Sequence, residues 1–512
     1  MKERSAAKTV SAMIIATLFS KLLGMARQII FASKLGDSIY AVAFASASKI
    51  TLSVFDILFS AAILACFIPF YGRLKKHSED EARGFSSSFL TFTVVLTAAL
   101  AAVGAVLSRQ LISVFAPMLS DEASSLAAQL LSIMFPMMIF TAAAYVLVGI
   151  LQSHDSFIFP SIISLLSNVV IIAFLLFYGD IADKTGIKLL AATYVLSWFL
   201  QFATLTVPLI RKRLMPGFSF QFKKAGVFDA LKMSPAVIVG AWLMPASTLI
   251  TNFFASFVSD ASVAVFDYSI SVWLIASGVL TYGVCNFIFP KLSAVAEDEQ
   301  TFIEAARGGI KAALLLSLPV TVGLWLLGDN VICLLYLRGN FSRELADACG
   351  KTLSILAWST PAYCITELLS RVFYSKKTAK FSMIASVGGV CVFFACCAAS
   401  RFLLDAGIDG IAVSFCIGQW AAAGVSIVFA MINITGFICK SDIKKIFFGA
   451  VSAALPAVLG AVLSVLLKKD AANLSTFQNF LVCAIVFSGE CVLYYICIKI
   501  FGLLPKKQKK EV

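Results

Sequence analysis

Apolar runs recur from one end of the chain to the other, each bounded by charged or turn-forming residues. A helix needs about 20 apolar residues to cross the hydrocarbon layer of a bilayer. On that measure the pattern predicts about fourteen transmembrane helices, over 9–34, 40–70, 87–108, 125–151, 157–178, 187–210, 229–257, 261–289, 308–328, 348–372, 381–403, 408–433, 446–467 and 478–502. Strands of alternating polarity are absent, so a helical bundle is the expected way to satisfy the backbone in lipid. Gly24, Pro136, Pro235, Pro245, Gly278, Pro319, Pro361 and Pro456 fall inside these runs and mark expected bends.

Composition agrees. Of 512 residues, 60% are hydrophobic and 13% charged, with a mean hydropathy of +0.94. A soluble domain carries roughly 45–50% apolar and 25% charged residues. The net charge of +13 would suggest nucleic acid in a soluble chain, but no basic stretch forms a soluble module interleaved with aromatic residues, so no nucleic-acid partner is expected. The cations instead mark one side of a membrane. Lys2, Arg4 and Lys8 precede the first run; Arg73, Lys75, Lys76 and Arg83 lie in the 71–86 loop; and Arg211, Lys212, Arg213, Lys223 and Lys224 lie in the 211–228 loop. Arg371, Lys376, Lys377 and Lys380 follow, then Lys440, Lys444 and Lys445, and finally Lys506, Lys507, Lys509 and Lys510. The intervening loops are short or mixed. Excess lysine and arginine marks the cytoplasmic face, so both termini are expected in the cytoplasm of a multi-pass plasma-membrane protein. No cleavable signal is expected, because the first run contains Lys21 and Arg27. Thirteen cysteines without a CxxC pair, and only His77 and His154, argue against a disulfide framework or a metal site.

Residues 31–48 (FASKLGDSIYAVAFASAS) align with 254–271 (FASFVSDASVAVFDYSIS), pairing Asp37 with Asp260 and Ser48 with Ser271. Six predicted helices separate the copies, so both enter the membrane in the same sense, as in parallel-repeat transporters. The expected organisation is a six-helix lobe over 1–222, a second over 223–437, and two further helices with a basic tail over 438–512.

Ionisable residues within membrane helices are costly and are functional candidates by default. They are Lys21 and Arg27 in the first helix, Lys49 and Asp56 in the second, Asp267 in the eighth, Glu367 and Arg371 in the tenth, and Glu490 in the last. Structural readings stand beside these. Lys34, Arg371 and Lys499 can snorkel to an interface, Asp56 can pair with Lys49 seven residues away, and Glu490 can be structural or snorkelled. A cationic first lobe suits an anionic substrate such as a diphosphate.

Ser20-Lys21-Leu22-Leu23-Gly24-Met25-Ala26-Arg27, followed by Phe31-Ala32 and Leu35-Gly36, resembles the opening signature of the MurJ lipid II flippase family, within the multidrug/oligosaccharidyl-lipid/polysaccharide superfamily. So do Phe67-Ile68-Pro69, Gly149-Ile150-Leu151-Gln152 with Phe157 and Pro160, and Ser277-Gly278-Val279 with Pro290-Lys291-Leu292-Ser293. Arg338-Gly339-Asn340-Phe341 and Leu369-Ser370-Arg371-Val372-Phe373-Tyr374 complete the set, in order over some 400 residues. The resemblance implies a V-shaped pair of lobes, alternating access between them, and an undecaprenyl-diphosphate-linked glycan as cargo for cell-wall synthesis, with the cell-wall synthesis machinery as partner. It places diphosphate contacts on Lys21, Arg27 and Lys49; Asp56, Asp267, Glu367 and Arg371, as charges inside apolar runs, and Ser271 are further candidate cavity or gating positions. Departures are also present. The family's arginine pair in helix 2 falls on Phe55 and Asp56, its acid-glycine pair on Ser60 and Ala61, its early acid on Val42, and its helix 8 arginine on Ser271.

The leading expectation is therefore a lipid II flippase without cofactor, metal or covalent intermediate, with the membrane potential as a driving force. The alternatives are a flippase for another polyprenyl-diphosphate glycan, such as a teichoic-acid or capsular unit, and an ion-coupled exporter of small molecules. A membrane enzyme would need a catalytic motif on a sizeable loop, and the longest connections have about twenty residues.

Overall fold

The computed structural model describes residues 2–60, 63–154, 156, 158–179, 181–232, 235–295, 297–434, 448, 452 and 471–503. Among these the chain is helical. Nine stretches are long and apolar enough to cross a membrane: Ile39–Phe59, Glu79–Val106, Asp121–Ser153, Lys184–Arg211, Asp260–Cys285, Glu299–Tyr336, Ala379–Phe402, Gly407–Asn433 and Thr476–Ile500. The expected run over 446–467 lies almost wholly outside the described residues.

Two compact units emerge. The first comprises Met1–Tyr268, Arg338–Phe341 and Arg401–Ile411. It begins with α1 (Lys2–Leu35) and α2 (Ile39–Phe55). Ser38 caps α2 by accepting a bond from the Ala41 amide, relieving one of the donors left open at a helix start. Ala41 to Ser48 are all buried; the small side chains among them (Ala41, Ala43, Ala45, Ser46, Ala47 and Ser48) let neighbouring backbones approach closely, the usual basis of helix packing in lipid. Beyond Phe55 the helix widens into two π turns, Asp56–Ser60 and Ile63–Phe67, before α3 (Ile68–His77). The Trp242 indole donates to the Ile57 carbonyl in the first π turn at 3.0 Å.

Next come α4 (Glu79–Val106), α5 (Ser108–Phe115), α6 (Asp121–Met134), α7 (Met137–Ser153), α8 (Ile158–Phe177) and α9 (Lys184–Arg211). The single run expected over 125–151 is divided between α6 and α7 at Pro136. The run expected over 229–257 becomes three pieces, α10 (Val227–Leu231), α11 (Pro235–Gly240) and α12 (Leu243–Ser256). Pro235 opens α11, where its missing N–H costs nothing, and Pro245 sits in the first turn of α12 for the same reason. Helix α13 (Asp260–Ala294) follows and runs through Gly278.

The second unit comprises Ser269–Leu337, Ser342–Ser400 and Ala412–Val512. It contains α14 (Glu299–Tyr336), which continues through Pro319, then α15 (Arg343–Leu356) and α16 (Thr360–Ser375). A 3-10 turn, Ala357–Ser359, separates these last two just before Pro361, so the run expected over 348–372 is also broken. Next come α17 (Ala379–Phe402) and α18 (Gly407–Asn433). The last helix, α19 (Thr476–Ile500), begins with a reciprocal Ser475–Gln478 capping box. Phe302, Leu368, Leu369 and Phe373 are buried in one cluster that joins α14 to α16. Tyr494 ties α19 to the Leu315 carbonyl at 2.9 Å.

Candidate functional site

Lys49 of α2 and Asp267 near the start of α13 meet inside the first unit, beside α1. Lys49 Nζ lies 2.5 Å from Asp267 Oδ1, with the two side chains 27% and 13% exposed. Gln28 Nε2 donates to Asp267 Oδ2 at 3.3 Å, so one carboxylate accepts from both α1 and α2. The Arg27 guanidinium stands over the Tyr194 ring at 5.5 Å. That ring is held edge-on by Phe44 at 5.0 Å, and Phe44 in turn packs on Phe31 at 5.3 Å. Arg27 Nε is buried and makes no hydrogen bond among the described residues. A guanidinium on an aromatic face gains a cation–π attraction, and its open Nε is a donor that an anion can accept from.

Lys21 lies six residues before Arg27, about 9 Å along the axis at a helical rise of 1.5 Å per residue, and is half-buried. Beside it, Ser20 Oγ is 2.6 Å from Ser164 Oγ, and Asn168 Nδ2 donates to the Ser20 carbonyl at 3.3 Å, fixing α1 against α8. Lys34, at the end of α1, donates to the Gly179 carbonyl at 2.8 Å. The sequence alternative paired Lys49 with Asp56; the observed ion-pair partner of Lys49 is Asp267, brought in from α13. Asp56 is half-buried where the first π turn begins.

The remaining candidates belong to the second unit. Ser271 is half-buried on α13. Glu367 and Arg371 pair with each other along α16 at 3.1 Å, so the arginine is held by its own helix. Glu490 is buried, 4% exposed, beside Gly323 rather than snorkelled, and its Oε2 lacks a hydrogen bond among the described residues.

Two family motifs that are distant in sequence meet at the α1–α2 turn. The Asn340 amide donates to the Ser33 carbonyl at 2.8 Å, and Asn340 Nδ2 donates to the Lys34 carbonyl at 2.7 Å. Tyr268 donates its hydroxyl to the Gly36 carbonyl at 2.6 Å, and its ring meets Phe341 at 5.3 Å. Gly36 and Gly339 both have positive φ, +53° and +60°, and a Cβ on either would come within 2.3 Å of a facing carbonyl oxygen. The Leu35-Gly36 and Arg338-Gly339-Asn340-Phe341 signatures are thus two halves of one clasp. Sequence reasoning also missed Gln28 and Tyr194, which carry no formal charge; a lone tyrosine in α9 was the available signal.

Comparison with known proteins gives the same reading across the chain. Residues 31–483 match the family model described as lipid II flippase MurJ. The probable lipid II flippase MurJ of Thermotoga maritima is 26% identical over 492 residues, 94% of this chain and 95% of the relative. That of Rhizobium tropici is 28% identical, covering 72% and 70%. A solved lipid II flippase MurJ in an inward closed conformation has a TM-score of 0.78 at 21% identity, with 96% of this chain and 98% of that one covered. An inward-facing multidrug resistance MATE family transporter of the MOP superfamily has a TM-score of 0.67 at 15% identity, covering 83% and 98%. At those identities the two solved structures speak to fold, and they share one architecture with this chain. With a family model spanning nearly its whole length, the chain belongs to the lipid II flippase MurJ family.

Proposed function

We propose that the chain is a flippase that moves lipid II from the inner to the outer leaflet by alternating access, for peptidoglycan synthesis. The single observation that carries this reading is the family match over 31–483, in a family of transporters rather than catalysts. The cations of α1 and α2 support it. Lys21, Arg27 and Lys49 offer three positive charges for a diphosphate, which Arg27 can meet with fixed, forked donors. In the resting arrangement Asp267 occupies Lys49; the arriving diphosphate takes the place of that carboxylate, and the carboxylate returns when cargo leaves. Transport needs no cofactor and no covalent intermediate. The membrane potential helps to reset a cationic site, each charge moved across it being worth about 2.3 kcal/mol per 100 mV. Fourteen spans in two parallel six-helix repeats plus a trailing pair, both termini in the cytoplasm, and the cell-wall synthesis machinery as partner complete the proposal.

A second reading, a flippase for another polyprenyl-diphosphate glycan, is favoured by one specific feature. Phe55, Asp56 and Ser271 stand where the family resemblance places arginines. Reconstitution in vesicles with labelled lipid II and a competing teichoic-acid precursor separates the two. Lipid II translocation that the competitor leaves unchanged supports the first reading; transport of the competitor alone overturns it. Lys21→Ala with Arg27→Ala is expected to abolish rescue of cells depleted of their own flippase, and full rescue would remove the cation pair from the mechanism.

A further inference from the structure

The segment between α9 and α10 is an extended strap laid along α4. Its backbone is fixed by the side chains of one short stretch of that helix. The Gly217 amide donates to Ser87 Oγ at 3.0 Å, the Ser219 amide donates to Thr91 Oγ1 at 2.9 Å, and Ser88 donates to Ser219 Oγ at 2.9 Å. In extended chain, alternate residues point to opposite sides. With 217 and 219 committed to α4, Phe218 turns away from it and is 81% exposed; Phe220 is 72% exposed and meets the edge of the Phe222 ring at 5.9 Å. The next alternate ring, Phe222, turns back onto Phe92 at 5.6 Å, which closes the strap.

Charge surrounds these two rings. Arg211, Lys212 and Arg213 precede the strap, Lys223 and Lys224 follow it, and all five are exposed. Over 211–232 the acid is Asp229, which lies 3.9 Å from Lys232. The height of the strap is also set. Its anchors, Ser87 to Thr91, stand one turn beyond Arg83, the last charge of α4 before its apolar run begins. In the orientation proposed above, that is the level of the headgroups on the side where the loop cations gather. Two exposed aromatic rings flanked by basic residues at that depth have the composition of an interfacial membrane anchor.

We propose that Phe218 and Phe220 insert at the boundary between headgroups and acyl chains of the cytoplasmic leaflet, and that Arg211, Lys212, Arg213, Lys223 and Lys224 bind anionic phospholipid headgroups there. The strap is thereby a lipid-specific binding surface, separate from the cation cluster of α1 and α2. It rests on the orientation proposed above and not on the identity of the cargo.

The test places p-benzoylphenylalanine at position 218 of the full-length chain, an exposed site whose side chain makes no core contact. The protein is reconstituted in vesicles of phosphatidylcholine and phosphatidylglycerol, irradiated, and its adducts read by mass spectrometry. The same probe at Val103, 55% exposed in the apolar run of α4, reports ordinary lipid contact. The expected result is a lipid adduct at 218 in which phosphatidylglycerol exceeds its mole fraction at least about threefold, since each basic residue near an anionic surface adds attraction. That enrichment should fall in the Lys223→Gln, Lys224→Gln variant and reach the mole fraction when Arg211, Lys212 and Arg213 are also changed to Gln, and Val103 should show none. Absence of a lipid adduct at 218 while Val103 gives one overturns the proposal, as does an adduct that mirrors bulk composition. In native membranes, capture of a second protein at 218 in place of lipid also overturns it.

Discussion

Asp267 is the residue on which the first unit's charge balance turns, because it accepts from Lys49 and Gln28 at once while only 13% exposed. Taking two charges out of water is costly, and removing one partner leaves the other uncompensated. Lys49→Ala is therefore expected to destabilise the protein more than Lys49→Ala combined with Asp267→Ala. The coupling, read from thermal unfolding of the four proteins in one detergent, should be about 1–3 kcal/mol. Strict additivity would mean that the pair contributes nothing in solution. The candidate charges were legible in the sequence because an ionisable group in an apolar run is conspicuous. Their pairing was not, since Lys49 and Asp267 lie on helices far apart in the chain and sequence proximity favoured Asp56. The neutral partners were less visible still: Gln28 and Tyr194 act through a hydrogen bond and a ring face, neither of which leaves a mark on a hydropathy profile.

Helices whose ends are set by capping and proline chemistry follow the sequence closely, and departures occur where tertiary contacts decide. Pro136, Pro235 and Pro361 coincide with helix interruptions, whereas α14 continues through Pro319. The widening of α2 into π turns has no signature in the residues themselves; it is compensated by Trp242, whose indole satisfies the Ile57 carbonyl. Trp242→Phe keeps the ring and deletes that bond, so a loss of about 1 kcal/mol is expected in thermal unfolding; an unchanged midpoint would show that the π turn is satisfied without it. The clasp at the α1–α2 turn sets a sharper demand. Gly36 and Gly339 need both a left-handed backbone and the absence of a Cβ. Left-handed geometry alone costs a residue with a side chain about 1–2 kcal/mol, and the facing carbonyl must then move as well. Gly36→Ala and Gly339→Ala are each expected to exceed that loss, whereas Gly84→Ala, inside α4 with open space around it, should raise the midpoint slightly, alanine being favoured over glycine in a helix by about 0.5–1 kcal/mol.

For the molecule as a whole, orientation and helix count are one question. The strongly basic loops, 71–86, 211–228, 371–380 and 434–445, fall on one side of the expected topology, and the others are short or mixed in sign; such a bias sets the cytoplasmic side. If residues 434–445 are cytoplasmic, α19 (476–500) can return the chain to the cytoplasm only when 446–467 has first crossed outward. The tail with Lys506, Lys507, Lys509 and Lys510 then lies inside, in keeping with the charge rule, and the count of spans is even. If 446–467 does not cross, the same tail is delivered outside, against the rule. Fusions of alkaline phosphatase and of green fluorescent protein after residue 512 distinguish these outcomes, with fusions after residue 377 and after residue 404 as references for the two sides. The expected pattern is fluorescence without phosphatase activity at 377 and 512, and the reverse at 404. Phosphatase activity at 512 with fluorescence at 377 would reduce the count by one span and place the C-terminus outside. It would also make 438–512 something other than a trailing pair, while leaving the cation cluster of the first unit untouched.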